Sequence, residues 1–219
     1  FVGKLSRPDR KVTLKRVPTP EARPYGIKSD STGMLWVAYN GHNGIARVNP
    51  DDMSVTEFIN PAAEDSNFRR LAITSDDMIW YVDSGRGYLG RLNPDTGEFT
   101  EWPSPSGPDS HPYAIEVIDD KIWYNESGMR PDALVRFDPE TETFQSWAFP
   151  SGIGQLRHMR ATPDGSFHRS VVSGRVLYHE RVRDALLRHL EKDLGPVALP
   201  RIPVSPQPFT VAEYFPTPG

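Results

Sequence analysis

A period of about 44 residues governs this chain. Trp36, Trp80 and Trp123 stand 44 and 43 residues apart. They sit in similar short segments: MLWVAYNG (34–41), MIWYVDSG (78–85) and DKIWYNESG (120–128). A second motif follows each: GIARVNPDD (44–52), YLGRLNPDT (88–96) and ALVRFDPET (133–141). A third comes next, as VTEFINP, FTEWPSP and FQSWAFP. A fourth precedes each tryptophan, as RPYGIKSD (23–30), FRRLAITS (68–75) and HPYAIEVI (111–118).

All four motifs are short, rich in β-branched and aromatic residues, and bounded by Gly, Pro, Asp or Asn. These are strand signals. Four strands per period predict the blade of a β-propeller. A single four-stranded sheet cannot bury both faces, so blades must stack around an axis. The tryptophans supply the buried area for that stacking. Arg47, Arg91 and Arg136 recur in the second motif and read as blade structure. The NPD, NPDT and DPET segments predict turns in which Asn or Asp accepts backbone hydrogen bonds.

The period is incomplete at both ends. Residues 1–20 match only the last two strands of a blade. Three whole repeats run from about Arg23 to Gly152, and a fifth begins at LRHMRATPDGSFH (156–168). The expected fold is all-β, with about four to five blades, partial or atypically closed, over residues 1–166. An atypical tail follows over 167–219. Its apolar spacing at 181–194 predicts a short helix, ended by Gly195 and Pro196. Five prolines mark 196–208 as an extended segment. FTVAEYFPTPG (209–219) resembles a last-strand motif, and 209–216 could add a closing strand to an open edge.

Bulk properties narrow the partners. Net charge is −4 and the pI about 5.9, against a strongly basic nucleic-acid binder. Mean hydropathy is −0.54, and no apolar run reaches the roughly 18–20 residues of a membrane helix, so membrane insertion is not expected. The absence of cysteine excludes disulfides, thiol nucleophiles and thiolate metal sites. Starting at Phe1 without a signal-peptide pattern, the sequence reads as a processed product or a fragment. Composition leaves the compartment open. A monomer is expected, with association through open blade edges as the alternative.

The combined pattern RPYGI…LWVAYNGHNGIARVNPDD…VTEF resembles the streptogramin lyase family, typified by virginiamycin B lyase, over residues 1 to about 166. The resemblance implies a propeller, seven-bladed in that family. It also implies a carbon–oxygen lyase that opens a cyclic depsipeptide antibiotic by elimination, and hence a place in antibiotic resistance. There a histidine is the base and Mg²⁺ polarises the lactone carbonyl. The catalytic blade reads Glu-Pro-His-Gly-Ile, with another Glu about fourteen residues beyond the His and a second His from a neighbouring blade. Here the base position holds Tyr25, Arg69, Tyr113 and Arg157 in successive repeats. The first Glu position holds Arg23, Asn67, His111 and Gln155. Only the second Glu position keeps carboxylates, Asp83 and Glu126.

Strand pairing by itself predicts a shared mouth. The start of each first strand lies beside the end of the second, which groups Tyr25, Arg69, Arg70, Asp83, His111, Tyr113, Glu126, Arg157 and His158. Tyr25, Arg69, Arg70, Tyr113 and Arg157 are the expected contacts of a small-molecule ligand, the arginines suiting an anionic or carbonyl-bearing one. Asp83 and Glu126 could hold a hard divalent ion, Mg²⁺ by the resemblance. His111 and His158 are the candidate catalytic bases, because imidazole titrates near neutrality. Each assignment has a structural alternative: carboxylates paired with nearby arginines, a loop histidine, a solvated arginine pair. The expected function is the first of three readings, metal-assisted, lyase-like elimination on a lactone or ester of a cyclic depsipeptide or related ligand. The other two are its alternatives: non-catalytic binding of a small ligand or protein at the mouth, and a lactonase-type hydrolase using Ca²⁺ or Zn²⁺ with Asn40 and Asn125.

Overall fold

The computed structural model describes residues 1–149, 155–161, 167–172 and 210–215. The chain opens with a hairpin, β1 (Val2–Leu5) and β2 (Val12–Lys15), the half-blade expected from the sequence. The first full blade is β3 (Pro24–Ser29), β4 (Leu35–Tyr39), β5 (Gly44–Val48) and β6 (Val55–Ile59). The second is β7 (Phe68–Ile73), β8 (Ile79–Asp83), β9 (Tyr88–Leu92) and β10 (Phe99–Pro103). The third is β11 (Pro112–Ile118), β12 (Lys121–Glu126), β13 (Ala133–Asp138) and β14 (Thr143–Ala148). Each is a four-stranded antiparallel meander, and together they form a propeller architecture.

The last sheet has three described strands, in the order β15 (Gln155–Ala161), β16 (Phe167–Val172), β17 (Thr210–Phe215). The terminal segment resembles a fourth-strand motif, yet β17 takes the third-strand place directly beside β16. An open sheet edge offers backbone donors and acceptors without regard to side chains, so ladder pairing can override motif identity. The helix expected at 181–194 and the proline-rich 196–208 lie outside the described residues.

Alternation along the second strand of each blade sends neighbouring side chains to opposite faces. Trp36 and Ala38 pack forward on Phe68, Leu71, Ile79 and Tyr81 of the second blade. Val37 and Tyr39 pack backward on Val2 and Val17. Trp80 and Val82 likewise meet Ile115, Ile122, Tyr124 and Phe137 of the third. Trp123 meets Leu156 and Met159 of β15. Each tryptophan pairs in register with an arginine: Trp36 with Arg47, Trp80 with Arg91, Trp123 with Arg136. The guanidinium carbons lie 5.7–5.8 Å from those rings, a cation–π cap on every blade. Aromatic residues of the fourth strands complete the stacks, with Trp80–Trp102 at 5.5 Å and Trp123–Trp147 at 5.8 Å.

The turns form as read. Asn49 accepts from the Asp51 amide, Asn93 from Asp95, and Asp138 from Glu140, at 2.9, 2.9 and 3.0 Å. The glycine closing each tryptophan motif has a different reason. A Cβ on Gly41, Gly85 or Gly128 would lie 2.3, 2.7 or 2.1 Å from the carbonyl oxygen of Glu21, Asp65 or Asp109. That glycine lets the loop before the inner strand lie against the end of the second strand. The mouth is built at this crossing.

One set of ties was not apparent in the sequence. Asp77 accepts from the Ser31 amide and hydroxyl at 2.9 and 2.5 Å. Asp120 does the same for Ser75 at 2.8 and 2.6 Å. Each latch joins one blade to the next at the end opposite the mouth.

Candidate functional site

The inner strands β3, β7, β11 and β15 start at the same level. The start of each inner strand pairs with the end of the second strand, as Pro24↔Tyr39, Phe68↔Asp83 and Pro112↔Glu126. An irregular register just after each of those starts takes the following residues out of the regular ladder. Tyr25, Arg69 and Tyr113 occupy those irregular stretches.

These residues form one cluster. The hydroxyls of Tyr25 and Tyr113, two blades apart, are 2.5 Å from each other, with the rings edge to face at 6.5 Å. Arg69, on the intervening blade, has its guanidinium carbon 5.9 Å from the Tyr25 ring and 5.3 Å from that of Tyr113. Arg70 lies 5.6 and 5.8 Å from the same rings, and Arg157 lies 4.3 Å from Tyr113. The four positions corresponding to the family's base thus hold an alternating Tyr–Arg–Tyr–Arg row, interleaved by cation–π contacts. Guanidiniums gathered around the same two rings repel one another. Partial desolvation and the hydrogen bond shared with Tyr113 raise the pKa of Tyr25, so its hydroxyl supplies no counter-charge. Neither Arg69 nor Arg70 has a carboxylate partner among the described residues.

A cavity of about 330 Å³ opens beside this row, lined by Arg69, Ser84, His111, Tyr113, Ser127, Gly128, Arg130 and Arg157. Arg69 Nε donates to Ser84 Oγ at 2.9 Å. His111 follows a single 3-10 turn, Pro108–Ser110, and takes a left-handed backbone with φ 45°. Its Nδ1 lies 2.7 Å from the carbonyl oxygen of Ser84. A carbonyl only accepts, so Nδ1 carries a proton, and in the neutral ring the lone pair is on Nε2. Nε2 has no partner among the described residues. His158 does not join His111. It stands across the row, its Nε2 3.2 Å from Arg70 Nη2. A guanidinium only donates, so His158 accepts as the neutral imidazole. Partial desolvation, and then the charge of Arg70, lower its pKa.

The carboxylates do not converge as the sequence reading required. Asp83 and Glu126 are fully buried, Asp83 among the loops of its own blade and Glu126 against the segment that follows β10 of the second blade. Asp83 accepts from the amides of Asn67 and Gly85 at 2.8 and 2.9 Å and from Arg86 Nε at 2.7 Å. Glu126 accepts from Ser104 Oγ, the Ser106 amide and Ser106 Oγ at 2.8, 3.0 and 2.5 Å. Their lone pairs are spent on loop donors, and Arg86 already neutralises Asp83. No group of three or more His, Asp or Glu able to hold a metal ion exists among the described residues. The donor set here does not fit Mg²⁺. The Asn125 required for a lactonase-type site is also engaged: its Oδ1 accepts from the Ala114 amide at 2.8 Å and its Nδ2 donates to the Leu156 carbonyl at 3.3 Å.

Ser84, Ser127, Gly128 and Arg130 were missed from sequence. The signals were present. Each serine directly follows a candidate carboxylate, in DSG and ESG. The loop carrying Arg130 is two residues longer than its counterpart, spanning 127–132 rather than 84–87. The shorter loop turns Arg86 back onto Asp83, whereas Arg130 remains exposed at the cavity rim, 3.4 Å from Asp132.

Comparison with known proteins supports the architecture. Among solved structures, a catalytically inactive histidine-to-alanine variant of virginiamycin B lyase from Staphylococcus aureus with quinupristin superposes with a TM-score of 0.68 at 22% identity, covering 76% of this chain and 55% of that one. A streptogramin B lyase structure gives 0.67 at 24%, covering 76% and 54%. Hydrazine synthase from Kuenenia stuttgartiensis gives 0.61 at 16%, covering 73% and 45%. The chain therefore spans about half the length of these lyases. Curated proteins give no significant match. A domain of unknown function, DUF4916, matches residues 150–219. The virginiamycin B lyase family model matches residues 9–174, well over half of the chain, and with the blade architecture this places the protein in the virginiamycin B lyase family.

Proposed function

We propose that this propeller captures a small anionic or carbonyl-bearing molecule at its mouth, without a divalent ion. The observation that carries the reading is the cavity wall. Arg69, Arg130 and Arg157 line it with Tyr113 and His111, and Asp83 and Glu126 are withdrawn from it. Such a wall presents N–H and O–H donors to a carbonyl or carboxylate oxygen.

A second reading, lyase-like elimination, has one specific support. His111 has its Nδ1–H pinned by Ser84, which leaves Nε2 as the basic nitrogen. A ligand held by the arginines would bring its acidic C–H to that lone pair, and the protonated imidazole would be steadied by the Ser84 carbonyl.

The test is calorimetric titration of the full chain, in EDTA, with a panel of lactones and keto acids that includes a cyclic depsipeptide lactone, with chromatography of the mixtures. Binding without turnover supports capture. Ring opening in EDTA that disappears in His111→Gln supports the second reading. Ring opening only with added Mg²⁺ overturns the metal-free assignment, and no binding by any member overturns both.

A further inference from the structure

We propose that the Tyr–Arg–Tyr–Arg row is a receptor for an oxyanion, the carboxylate or phosphoryl group of the ligand, seated between Arg69 and Arg157 against the edge of Tyr113. This rests on the mouth being the binding site and names the chemistry that it selects.

Three observations converge. First, charge is unbalanced. Arg69, Arg70 and Arg157 all approach one ring, that of Tyr113, within 5.8 Å, and Arg69 and Arg70 have no carboxylate partner among the described residues. The blade tryptophans are capped by one arginine each among the described residues, as Trp36 is by Arg47 and Trp80 by Arg91. Holding Arg69 and Arg70 there without a carboxylate partner among the described residues is repaid when an anion enters.

Second, the row presents donors. Of the Arg69 guanidinium, Nε is committed to Ser84 Oγ, and its Nη groups have no acceptor among the described residues. The Tyr25–Tyr113 contact uses one of two hydroxyl protons. The other O–H is left to donate. Forked N–H donors beside an O–H donor match the planar or tetrahedral oxygens of an oxyanion.

Third, the donors are held in place. Arg69 is fixed by Ser84, and Tyr25 and Tyr113 by each other, with Tyr113 buried to 9% exposure. The wall therefore keeps its geometry before a ligand arrives, which reduces the ordering cost of binding. The lone pair of His111 Nε2 suits a ligand oxygen that still bears a proton, as in a hydrogenphosphate, or takes up a proton as the anion binds.

The experiment is calorimetric titration of the full chain at low ionic strength with inorganic phosphate, with succinate and with a neutral lactone. Binding of phosphate or of succinate supports the proposal, and whichever binds identifies the source of the oxyanion. Arg69→Gln and Arg157→Gln are each expected to weaken it about tenfold, while Arg91→Gln, on a blade tryptophan, leaves it unchanged. Should a variant fail to fold, phenylglyoxal labelling of the unaltered chain gives a second readout. The anion should protect Arg69 and Arg157 in peptide mass spectra and leave Arg91 equally reactive. A lactone that binds while neither anion does overturns the oxyanion assignment and leaves the mouth as the ligand site. If nothing binds, both fall.

Discussion

Tyr25 and Tyr113 stand 88 positions apart in the chain, yet their hydroxyls meet at 2.5 Å across the mouth. The contact joins the first and third full blades over the second. Lys28 and Glu116 repeat it three residues further along the same two strands, at 3.1 Å. The mouth is thus braced by side chains as well as by backbone ladders. Tyr25→Phe and Tyr113→Phe should each cost about 1 kcal/mol in urea unfolding. The double variant should cost clearly less than the two together, because one bond is lost in every case. Full additivity would show that the pair is not coupled.

Glu126 is a structural carboxylate on this geometry. Glu126→Gln replaces an acceptor of three hydrogen bonds with a group that presents N–H to donors. The expected loss is about 2 kcal/mol of stability. Addition of Mg²⁺ should give neither heat nor a change in Tm for either form. A Tm that rises with Mg²⁺ in the parent and not in the variant would restore the metal reading.

Acidification should act through His158. Its pKa is lowered in the fold, first by partial desolvation and then by Arg70. As pH falls through about 6.5, the ordinary histidine value, the unfolded chain takes up a proton before the folded one. Stability present above that pH is therefore lost on the way down, and the loss ends once the folded imidazole also protonates. His158→Gln should flatten this part of the stability–pH curve. An unchanged slope would place the titration elsewhere.

The second-motif turns carry a removable strain. Met53, Gly97 and Glu142 fill equivalent positions, with φ of 59°, 74° and 53°. Only glycine adopts this conformation freely. Glu142 is exposed, so Glu142→Gly should gain about 0.5–1 kcal/mol, read as a higher urea midpoint at constant slope.

The inter-blade latches give a matching loss. Asp120 accepts two hydrogen bonds from Ser75, and these hold its carboxyl below the usual range. Asp120→Ala should cost about 1 kcal/mol, since the bonds are solvent-exposed. The same loss should follow from Asp77→Ala at the Ser31 latch. No loss at either would make the latches incidental.

Sequence by itself determined the blade. Trp36, Trp80 and Trp123 with their paired arginines, the Asx turns and the half-blade at residues 1–20 all express local periodicity, and strand alternation converts that directly into buried faces. It also placed Tyr25, Arg69, Tyr113 and Arg157 at one level, because antiparallel register follows from strand order. Only the tertiary structure decided where Asp83 and Glu126 aim, since that depends on which loop donors compete for their oxygens. Arg86, Ser104 and Ser106 win that competition. Only the tertiary structure decided that β17 lies beside β16, because a ladder recognises an open backbone edge rather than a motif. The tyrosine contact across the mouth is of the same kind. A period of about 44 residues shows that Tyr25 and Tyr113 are equivalent, and only the curvature of packed blades brings equivalent residues into contact.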